Sequence, residues 1–298
     1  MNAPRSQRTE VNGWVILDKP TGMTSTYAVG RLKRLFNAKK AGHAGTLDPL
    51  ATGILPVAFG EATKTVPFVQ DGEKTYRFTI AWGAQTDSDD VDGEVIARSE
   101  LRPEVAAIHA ALPQFMGNIL QRPPSFSAIK VAGERAYDLA RDGAPPDLEP
   151  RPVTIHSLTL VAADADHAHF EAHCGKGTYV RAVARDLGQA LGCYGHVSAL
   201  RRTRVGPFIE SEAVTLPQLS EAPAEALLRV EAGLTEVPQI PVDRALAARL
   251  RRGQSILLRG RDTPMDGPAF ASCCGVVVAI GAIEQGELIP GRVFNLPF

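Results

Sequence analysis

Asp48 is the residue of this chain whose surroundings most favour chemistry. It lies in GHAGTLDPLATG (residues 42–53), where a single acid is followed by proline and surrounded by glycines and apolar residues. The neighbouring Leu47 and Leu50 indicate that the segment packs against a core, where a carboxylate is costly unless it is paired. A carboxylate that is ionised and fixed in place is suited to covalent attack. A surface Asp-Pro turn is the alternative interpretation of the same residues.

Arg181 is the candidate partner of this carboxylate. It lies in TYVRAVARDLGQALG (178–192), in which apolar residues recur at helical spacing, with Thr178 at the cap position and Gly192 at the end. Arg181 then falls in the first turn of the helix, where the helix dipole disfavours a cation. An anion close to Arg181 would explain its position, and we expect that anion to be Asp48.

Three other motifs resemble functional sites but fit them poorly. DSDDVDGE (87–94) lacks two of the carboxylates of a calcium loop, and we expect an acidic surface turn there. GKGT (175–178) has glycine where a phosphate loop needs Ser or Thr after the lysine. His167, His169 and His173 alternate along a predicted exposed strand, but their spacing matches no common metal site. The sequence therefore predicts no metal site, and a hydrolase is disfavoured because GxSxG is absent.

The elements that would position these residues are a mixture of strands and helices. VNGWVILDKP (11–20) predicts a strand, and KTYRFTIAWG (74–83) predicts another, with Tyr76 on its apolar face. TSTYAVGRLKRLF (24–36) predicts a helix capped by Thr24 or Ser25. Its apolar face is expected to contain Val29, Leu32, Leu35 and Phe36.

Further along the chain, the same patterns predict helices and strands without the regular alternation of a parallel sheet. The predicted helices lie near 103–116 and 134–141, and the predicted strands lie at 153–161 and 168–174. A Pro/Ala/Glu-rich run (217–241) precedes a last segment of short apolar stretches separated by glycines, which predicts a small β domain. The expected fold class is α+β.

Composition indicates an ordinary globular chain of 298 residues, 44% of them hydrophobic and with a net charge of −1. No run of apolar residues reaches the length of a membrane helix and no secretory signal is recognisable, so we expect a cytoplasmic protein without membrane contact. The four cysteines lack CxxC spacing and are expected to be reduced. Basic residues cluster in RLKRLFNAKK (31–40), LRRTRVG (200–206) and ARLRRGQ (248–254), which favours RNA or DNA as a partner.

Five long motifs give the chain a resemblance to the bacterial tRNA pseudouridine synthase B family from about residue 12 to the end. They are GWVILDKPTGMTS (13–25), GHAGTLDPLATGILPVAFGEATK (42–64), KTYRFTIAWGAQTDSDDVDGEV (74–95), RPPSFSAIKVAGERAYDLARDG (122–143) and CGKGTYVRAVARDLGQALGCYGHVSALRRTRVGPF (174–208). The resemblance implies an isomerase that converts the T-loop uridine of tRNA, at position 55, to pseudouridine without cofactor or metal. The N1–C1′ bond breaks, the uracil rotates, and a C5–C1′ bond forms on a uridine flipped out of the loop.

The resemblance also implies the roles of individual residues. Asp48 matches the catalytic aspartate, and attack at C1′, attack at C6 and assistance to glycal formation are all compatible with it. Arg181 would hold this carboxylate, and Tyr76 would stack on the uracil, although core packing is an alternative for Tyr76. The remaining candidates for substrate or RNA binding are His43 at the flipping site, Tyr179 and Leu200 in the pocket, and Lys19 and Lys130 near it.

The fold that the resemblance implies has a central mixed, mostly antiparallel sheet and a small C-terminal β domain. We expect a catalytic domain at residues 1–237, with an insertion at about 124–150 that closes on the T arm, and a PUA-like RNA-binding domain at 238–298. The expected partner is the T-arm stem-loop of tRNA, with no guide RNA, and a monomer is expected. A non-catalytic protein that binds and folds tRNA through the same surface is the alternative.

Overall fold

The computed structural model describes residues 8–127, 129–131, 133–144, 146–258 and 266–298. The strands are β1 (Gly13–Lys19), β2 (Ala41–His43), β3 (Thr52–Phe59), β4 (Lys74–Trp82), β5 (Ala84–Thr86), β6 (Val95–Arg98), β7 (Gly117–Gln121), β8 (Lys130–Val131), β9 (Glu134–Arg135), β10 (Arg151–Ala163), β11 (His167–Cys174), β12 (Gly195–Val205), β13 (Phe208–Ile209), β14 (Gln239–Pro241), β15 (Ile256–Leu257), β16 (Gly267–Cys273), β17 (Val276–Glu284) and β18 (Glu287–Val293). The α-helices are α1 (Ser25–Leu35), α2 (Val66–Asp71), α3 (Val105–Ala111), α4 (Ala136–Arg141), α5 (Val180–Ala190), α6 (Leu216–Glu221) and α7 (Arg244–Arg251).

Some of the predicted segments fall partly outside these residues. They are the first seven residues of the predicted catalytic domain, residues 128, 132 and 145 of the predicted insertion, and residues 259–265 of the predicted C-terminal domain. Among the described residues, no helix is long and apolar enough to cross a membrane.

A large sheet with the strand order β1-β3-β12-β4-β11-β10-β7 forms the centre of the molecule. Strand β12 pairs with β3 in parallel, and the other pairings of the sheet are antiparallel. The expected mixed, mostly antiparallel sheet is confirmed. Its central strand β4 alternates as predicted, with Phe78 and Ile80 buried and Arg77 exposed.

The two long helices near the sheet follow the sequence prediction with small corrections. In α1 the side chain of Thr24 accepts a hydrogen bond from the backbone N–H of Tyr27, which confirms Thr24 as the cap. Leu35 was expected on the apolar face but is 38% exposed, because the helix buries the side that contains Ala28 and Leu32. Helix α5 begins one residue later than expected, with Tyr179 at the cap position instead of Thr178.

The last segment of the chain forms a five-stranded sheet, in the order β14-β16-β17-β18-β15, which confirms the expected small β unit. Part of this sheet shares a hydrophobic cluster with the large sheet, in which Phe270 and Phe294 join Trp14 and Phe208. The Nζ of Lys64 donates a hydrogen bond of 2.7 Å to the carbonyl of Val293 across the same boundary. The division at residues 237 and 238 stays a prediction.

Candidate active site

A short loop between β2 and β3 presents Asp48, and a side chain from α1 fixes that loop. Ser25 accepts a hydrogen bond of 2.8 Å from the backbone N–H of Leu47 and donates one of 3.0 Å to its carbonyl. Leu47 is buried, whereas the side chain of Asp48 is 34% exposed and faces a cavity. The apolar neighbours therefore anchor the loop and the carboxylate remains accessible.

Arg181 holds this carboxylate, as the sequence predicts. Its Nε lies 2.9 Å from Oδ2 of Asp48, and only 4% of Arg181 is exposed. The other guanidinium nitrogens donate to the carbonyls of Ser88 and Phe126, at 2.9 and 2.8 Å, and one lies 3.4 Å from a carboxylate oxygen of Asp90. A buried guanidinium bound on all sides fixes the orientation of Asp48.

The segment that was expected to be an acidic surface turn lies under this site. Ser88, Asp89 and Asp90 are buried, because the turn between β5 and β6 lies against α5, and the expectation of a surface position is wrong for these three residues. Asp90 accepts a hydrogen bond of 2.6 Å from the hydroxyl of Ser88. Burial raises the pKa of the Asp90 carboxyl, with that hydrogen bond and Arg181 acting in the opposite direction.

Asp89 forms a second ion pair along the same helix. Its Oδ2 lies 3.0 Å from Arg185, one helical turn beyond Arg181. Burial raises the pKa of Asp89 to about 6, because desolvation outweighs the attraction of Arg185 and Arg181. The sequence DSDD predicts buried acids only when it is considered together with the arginines of α5. Its composition alone does not show which of the acids are buried.

Lys19 is fully buried beneath the loop that carries Asp48 and does not line the cavity of Asp48. Its Nζ donates to the carbonyls of Pro20, Met23 and Pro49, at 2.9, 2.8 and 3.3 Å. Burial lowers the pKa of Lys19 to about 8, and the charge of Asp48 acts in the opposite direction. The lysine thus joins the end of β1 to the residue that follows Asp48.

Three further predicted substrate-binding residues line the cavity together with Asp48 and Arg181, and its volume is about 420 Å³. They are Tyr76 on β4, Tyr179 before α5 and Leu200 on β12. Burial raises the pKa of both tyrosine hydroxyls. The backbone of Tyr179 is fixed by the buried side chain of Gln121, which accepts from its N–H at 2.8 Å and donates to its carbonyl at 3.1 Å.

Two further buried cations line the same cavity and were not singled out from the sequence. Arg202 is 1% exposed, and it donates to the carbonyls of Gly45, Thr46 and Ile54 at 3.0, 3.3 and 2.9 Å. Lys74 is buried and donates to backbone carbonyls of the preceding turn. Burial is the main cause that lowers the pKa of Lys74 to about 8, and the nearby charge of Arg202 acts in the same direction.

The other two predicted contacts lie outside the residues that line the cavity. His43 is half-buried on β2, and Lys130 is exposed on the β8–β9 hairpin within the predicted insertion. The histidines of β11 face polar partners: His167 lies 3.3 Å from Asp164 and His173 lies 2.7 Å from Glu73. Among the residues described here, no group of three or more His, Cys, Asp or Glu side chains is arranged to hold a metal ion.

The basic segment 200–206 is not a free cationic surface. Arg201 forms ion pairs with Asp18 and Glu210, while Arg202 is buried in the site. Arg204 lies 3.4 Å from Glu236. The expectation of a basic nucleic-acid surface therefore depends on the segments at 31–40 and 248–254, where several arginines and lysines are exposed.

The mixed sheet and the Asp48–Arg181 pair beside two tyrosines agree with the site that the resemblance to the pseudouridine synthases implies. The N-terminal domain model of the TruB family pseudouridylate synthases matches residues 33–180, and the tRNA pseudouridylate synthase B C-terminal domain model matches residues 181–247. The chain belongs to the TruB family, which confirms the resemblance seen in its motifs.

Individual relatives agree with this assignment. The tRNA pseudouridine synthase B of Bradyrhizobium diazoefficiens is 59% identical over 99% of this chain and 89% of its own length. That of Agrobacterium fabrum is 53% identical over 99% of this chain and 100% of its own. Among solved structures, a Cbf5-Nop10-Gar1 complex contains a chain with a TM-score of 0.72 and 25% identity, with 95% of this chain and 84% of that chain covered. A chain of an H/ACA RNP bound to a substrate RNA has a TM-score of 0.75 at 23% identity, over 96% and 85%.

Proposed function

We propose that this protein is a tRNA pseudouridine synthase that isomerises the T-loop uridine at position 55. The observation that carries the proposal is the carboxylate of Asp48, held 2.9 Å from Arg181 at the wall of a cavity of about 420 Å³. Membership of the TruB family supports the reaction class, and the names of the tRNA pseudouridine synthase B relatives support tRNA as the substrate.

The reaction needs one carboxylate that is fixed in position and a cavity that encloses the base. Asp48 would act on the ribose or the uracil of a uridine whose N1–C1′ bond breaks and whose C5–C1′ bond then forms. Arg181 would keep the carboxylate oriented by a charge-assisted hydrogen bond that lysine cannot reproduce in the same geometry. A fixed geometry of this kind lowers the entropy cost of reaching the transition state.

The remaining predicted site residues have roles that follow from their positions. Tyr76 would stack on the flipped uracil, and Tyr179 and Leu200 would enclose the nucleotide, since all three line the cavity. Lys19 would act on the loop that carries Asp48 and not on the substrate. His43 and Lys130 would contact RNA outside the cavity.

We also propose which parts of the protein contact the tRNA. The T arm would lie against the insertion at about 124–150, and the PUA-like segment at 238–298 would contact another part of the tRNA through the exposed arginines near α7. We propose that the protein acts as a monomer without guide RNA. We also propose that it acts in the cytoplasm, where a tRNA substrate is present.

Tritium release tests the proposal directly. A T-arm stem-loop carrying 5-tritiated uridine is incubated with the protein alone, without added metal or guide RNA. The label leaves only when C5 becomes bonded to the sugar. We expect release by the unmodified protein and none by Asp48→Asn, while both bind the RNA with similar affinity.

The same experiment separates the alternatives. Tight binding without tritium release by the unmodified protein would indicate a protein that binds or folds tRNA, and would contradict the proposal. Release by Asp48→Asn at the unmodified rate would refute the role of Asp48. Release that persists from a stem-loop whose uridine at position 55 is replaced would refute the proposed target.

A further inference from the structure

Among the described residues, three buried cations in or beneath the wall of the cavity of Asp48 have no carboxylate partner: Lys74 and Arg202 line the cavity, and Lys19 lies below the loop that carries Asp48. Lys19, Lys74 and Arg202 donate to backbone carbonyls, and within the described part of the chain no carboxylate oxygen lies within 4.0 Å of their nitrogens. Buried charges in proteins are normally paired, because desolvation costs several kcal/mol per ion (~5). An arrangement that leaves buried positive charge unpaired beside a cavity therefore indicates a ligand or transition state that carries negative charge.

Arg202 is the cation best placed to act on the substrate. Its Cα is paired with that of Tyr76 across β4 and with that of Gly53 across β3. Gly53 has a φ of +95°, and a Cβ there would lie 2.2 Å from the carbonyl of Arg202, so the two strands approach closely at this point. Arg202 thus lies between the residue proposed to support the uracil and the loop that carries Asp48.

The hydrogen bonds of Arg202 leave donor capacity for the substrate. A guanidinium has five N–H groups. Three nitrogens donate to the carbonyls of Gly45, Thr46 and Ile54. These contacts fix the guanidinium plane in the wall of the cavity, and two N–H groups remain for a ligand.

The adjacent Arg201 shows that the face of β12 on which an arginine lies decides whether it is paired with an acid. Arg201 points to the opposite face of β12, where Asp18 and Glu210 neutralise it. Arg202 faces the cavity and, among the described residues, forms no ion pair with an acid there.

We propose that Arg202 stabilises the negative charge that develops on the uracil when its glycosidic bond breaks. This inference rests on the proposed function. Whether Asp48 bonds to C1′ or removes a proton from C2′, the electron pair of the N1–C1′ bond stays on the base, whose charge spreads to O2 and O4. After the base rotates, C5 bonds to C1′, and the carboxylate leaves or C2′ regains its proton. The base then loses the proton on C5 and gains one at N1, which gives neutral pseudouridine. A fixed cation beside the base lowers the barrier to the first of these steps.

An RNA phosphate fits this position less well. Arg202 is 1% exposed and lies in the wall of the cavity, so a base that enters the cavity can reach it more readily than a phosphate held at the protein surface. Lys176, which is exposed at the rim and lies 3.0 Å from Asp71, is better placed for a phosphate. A phosphate contact would change the affinity for RNA, whereas a contact with the departing base changes the rate of cleavage.

The test compares leaving groups. Single-turnover consumption of uridine and of 5-fluorouridine at the target position is followed by chromatography of nuclease-digested T-arm RNA, with the unmodified protein, Arg202→Gln and Arg202→Lys. Fluorine withdraws electrons and stabilises the uracil anion without help from the protein. We expect Arg202→Gln to slow the uridine reaction about 100-fold and the 5-fluorouridine reaction only about tenfold, with Arg202→Lys between. Arg204→Gln, on the same strand but outside the cavity, is the matched control and should change neither rate.

Two results would overturn the inference. Equal slowing of both substrates would indicate that Arg202 only supports the loop of Asp48, and weaker RNA binding with unchanged cleavage rates would indicate a phosphate contact. Conversion of uridine by the unmodified protein leaves the proposed function intact in either case.

If Arg202→Gln does not fold, a second experiment tests the inference with Arg202 present. RNA with 6-azauridine at the target position, whose base ionises near neutral pH, is bound to Asp48→Asn protein at pH 6 and pH 8. Relative to uridine RNA, we expect at least tenfold tighter binding at pH 8. Equal or weaker relative binding at pH 8 would refute the stabilisation of an anionic base.

Discussion

Replacing Arg181 by lysine should separate the orientation of Asp48 from the general stability of helix α5. Arg181 makes four contacts, with Asp48, Asp90 and the carbonyls of Ser88 and Phe126. An ammonium keeps the charge but cannot span a carboxylate on one side and two carbonyls on the other. Hydrogen bonds to charged groups contribute roughly 1.5–3 kcal/mol each, so the loss of the Asp48 contact predicts a fall in the rate of about 10- to 150-fold.

Arg185→Lys is the matched control for this change. Arg185 lies one turn further along α5 and pairs with the buried Asp89 at 3.0 Å and with the partly exposed Asp186 at 2.7 Å, but it forms no ion pair with Asp48. We expect both variants to lose roughly 2–3 kcal/mol of unfolding free energy, since each leaves a buried carboxylate or carbonyl poorly partnered. Only Arg181→Lys should lose activity beyond a factor of about three.

The assay is single-turnover tritium release at saturating RNA, together with urea unfolding of each variant. A rate for Arg181→Lys within threefold of the unmodified protein would refute the orienting role of the guanidinium. Equal losses of rate in the two variants would also refute it, because the effect would then arise from the stability of α5 and not from Asp48.

Three further changes test other parts of the site. Ser25→Ala removes both hydrogen bonds to Leu47, and we expect urea unfolding to show a loss of about 2 kcal/mol and kcat to fall with KM unchanged; an unchanged kcat would contradict a positioning role. Lys19 has a pKa of about 8 in the folded protein against 10.5 when unfolded, so between these values the unfolded chain binds more protons and stability rises with pH. The difference in unfolding free energy between the unmodified protein and Lys19→Met should therefore increase by about 3 kcal/mol from pH 7 to pH 10.5, and a flat difference would show that Lys19 is not desolvated. Gly53→Ala places a Cβ 2.2 Å from the backbone of β12 at a positive φ, and thermal or urea unfolding should show a loss of roughly 2–4 kcal/mol in unfolding free energy. In the control Gly42→Ala, no atom lies within 4 Å of the added carbon, and the loss should be less than about 1 kcal/mol.

Local patterns in the sequence were sufficient to predict the main helices and strands and the Asp48–Arg181 pair of the site. Helical spacing placed α5 to within one residue at its cap, and strand alternation predicted β4 with its buried face. Asp48 stood out because a lone acid in an apolar segment needs a partner, and Arg181 because a cation in the first turn of a helix needs an anion. Both arguments depend on the chemistry of a few neighbouring residues, which a sequence displays directly.

The rest of the site was decided by the tertiary structure. Arg201 and Arg202 are adjacent and identical, yet pairing of β12 with β3 and β4 sends one to a neutralised surface and the other into the cavity. Asp90 belongs to a run of acids that reads as a solvated turn until α5 covers it. Burial of a charge is set by elements distant in the chain, and no local pattern records which side of a strand or turn they will cover. The sequence therefore determined which residues can do the chemistry, and the packing of the sheet against α5 determined which charges surround them.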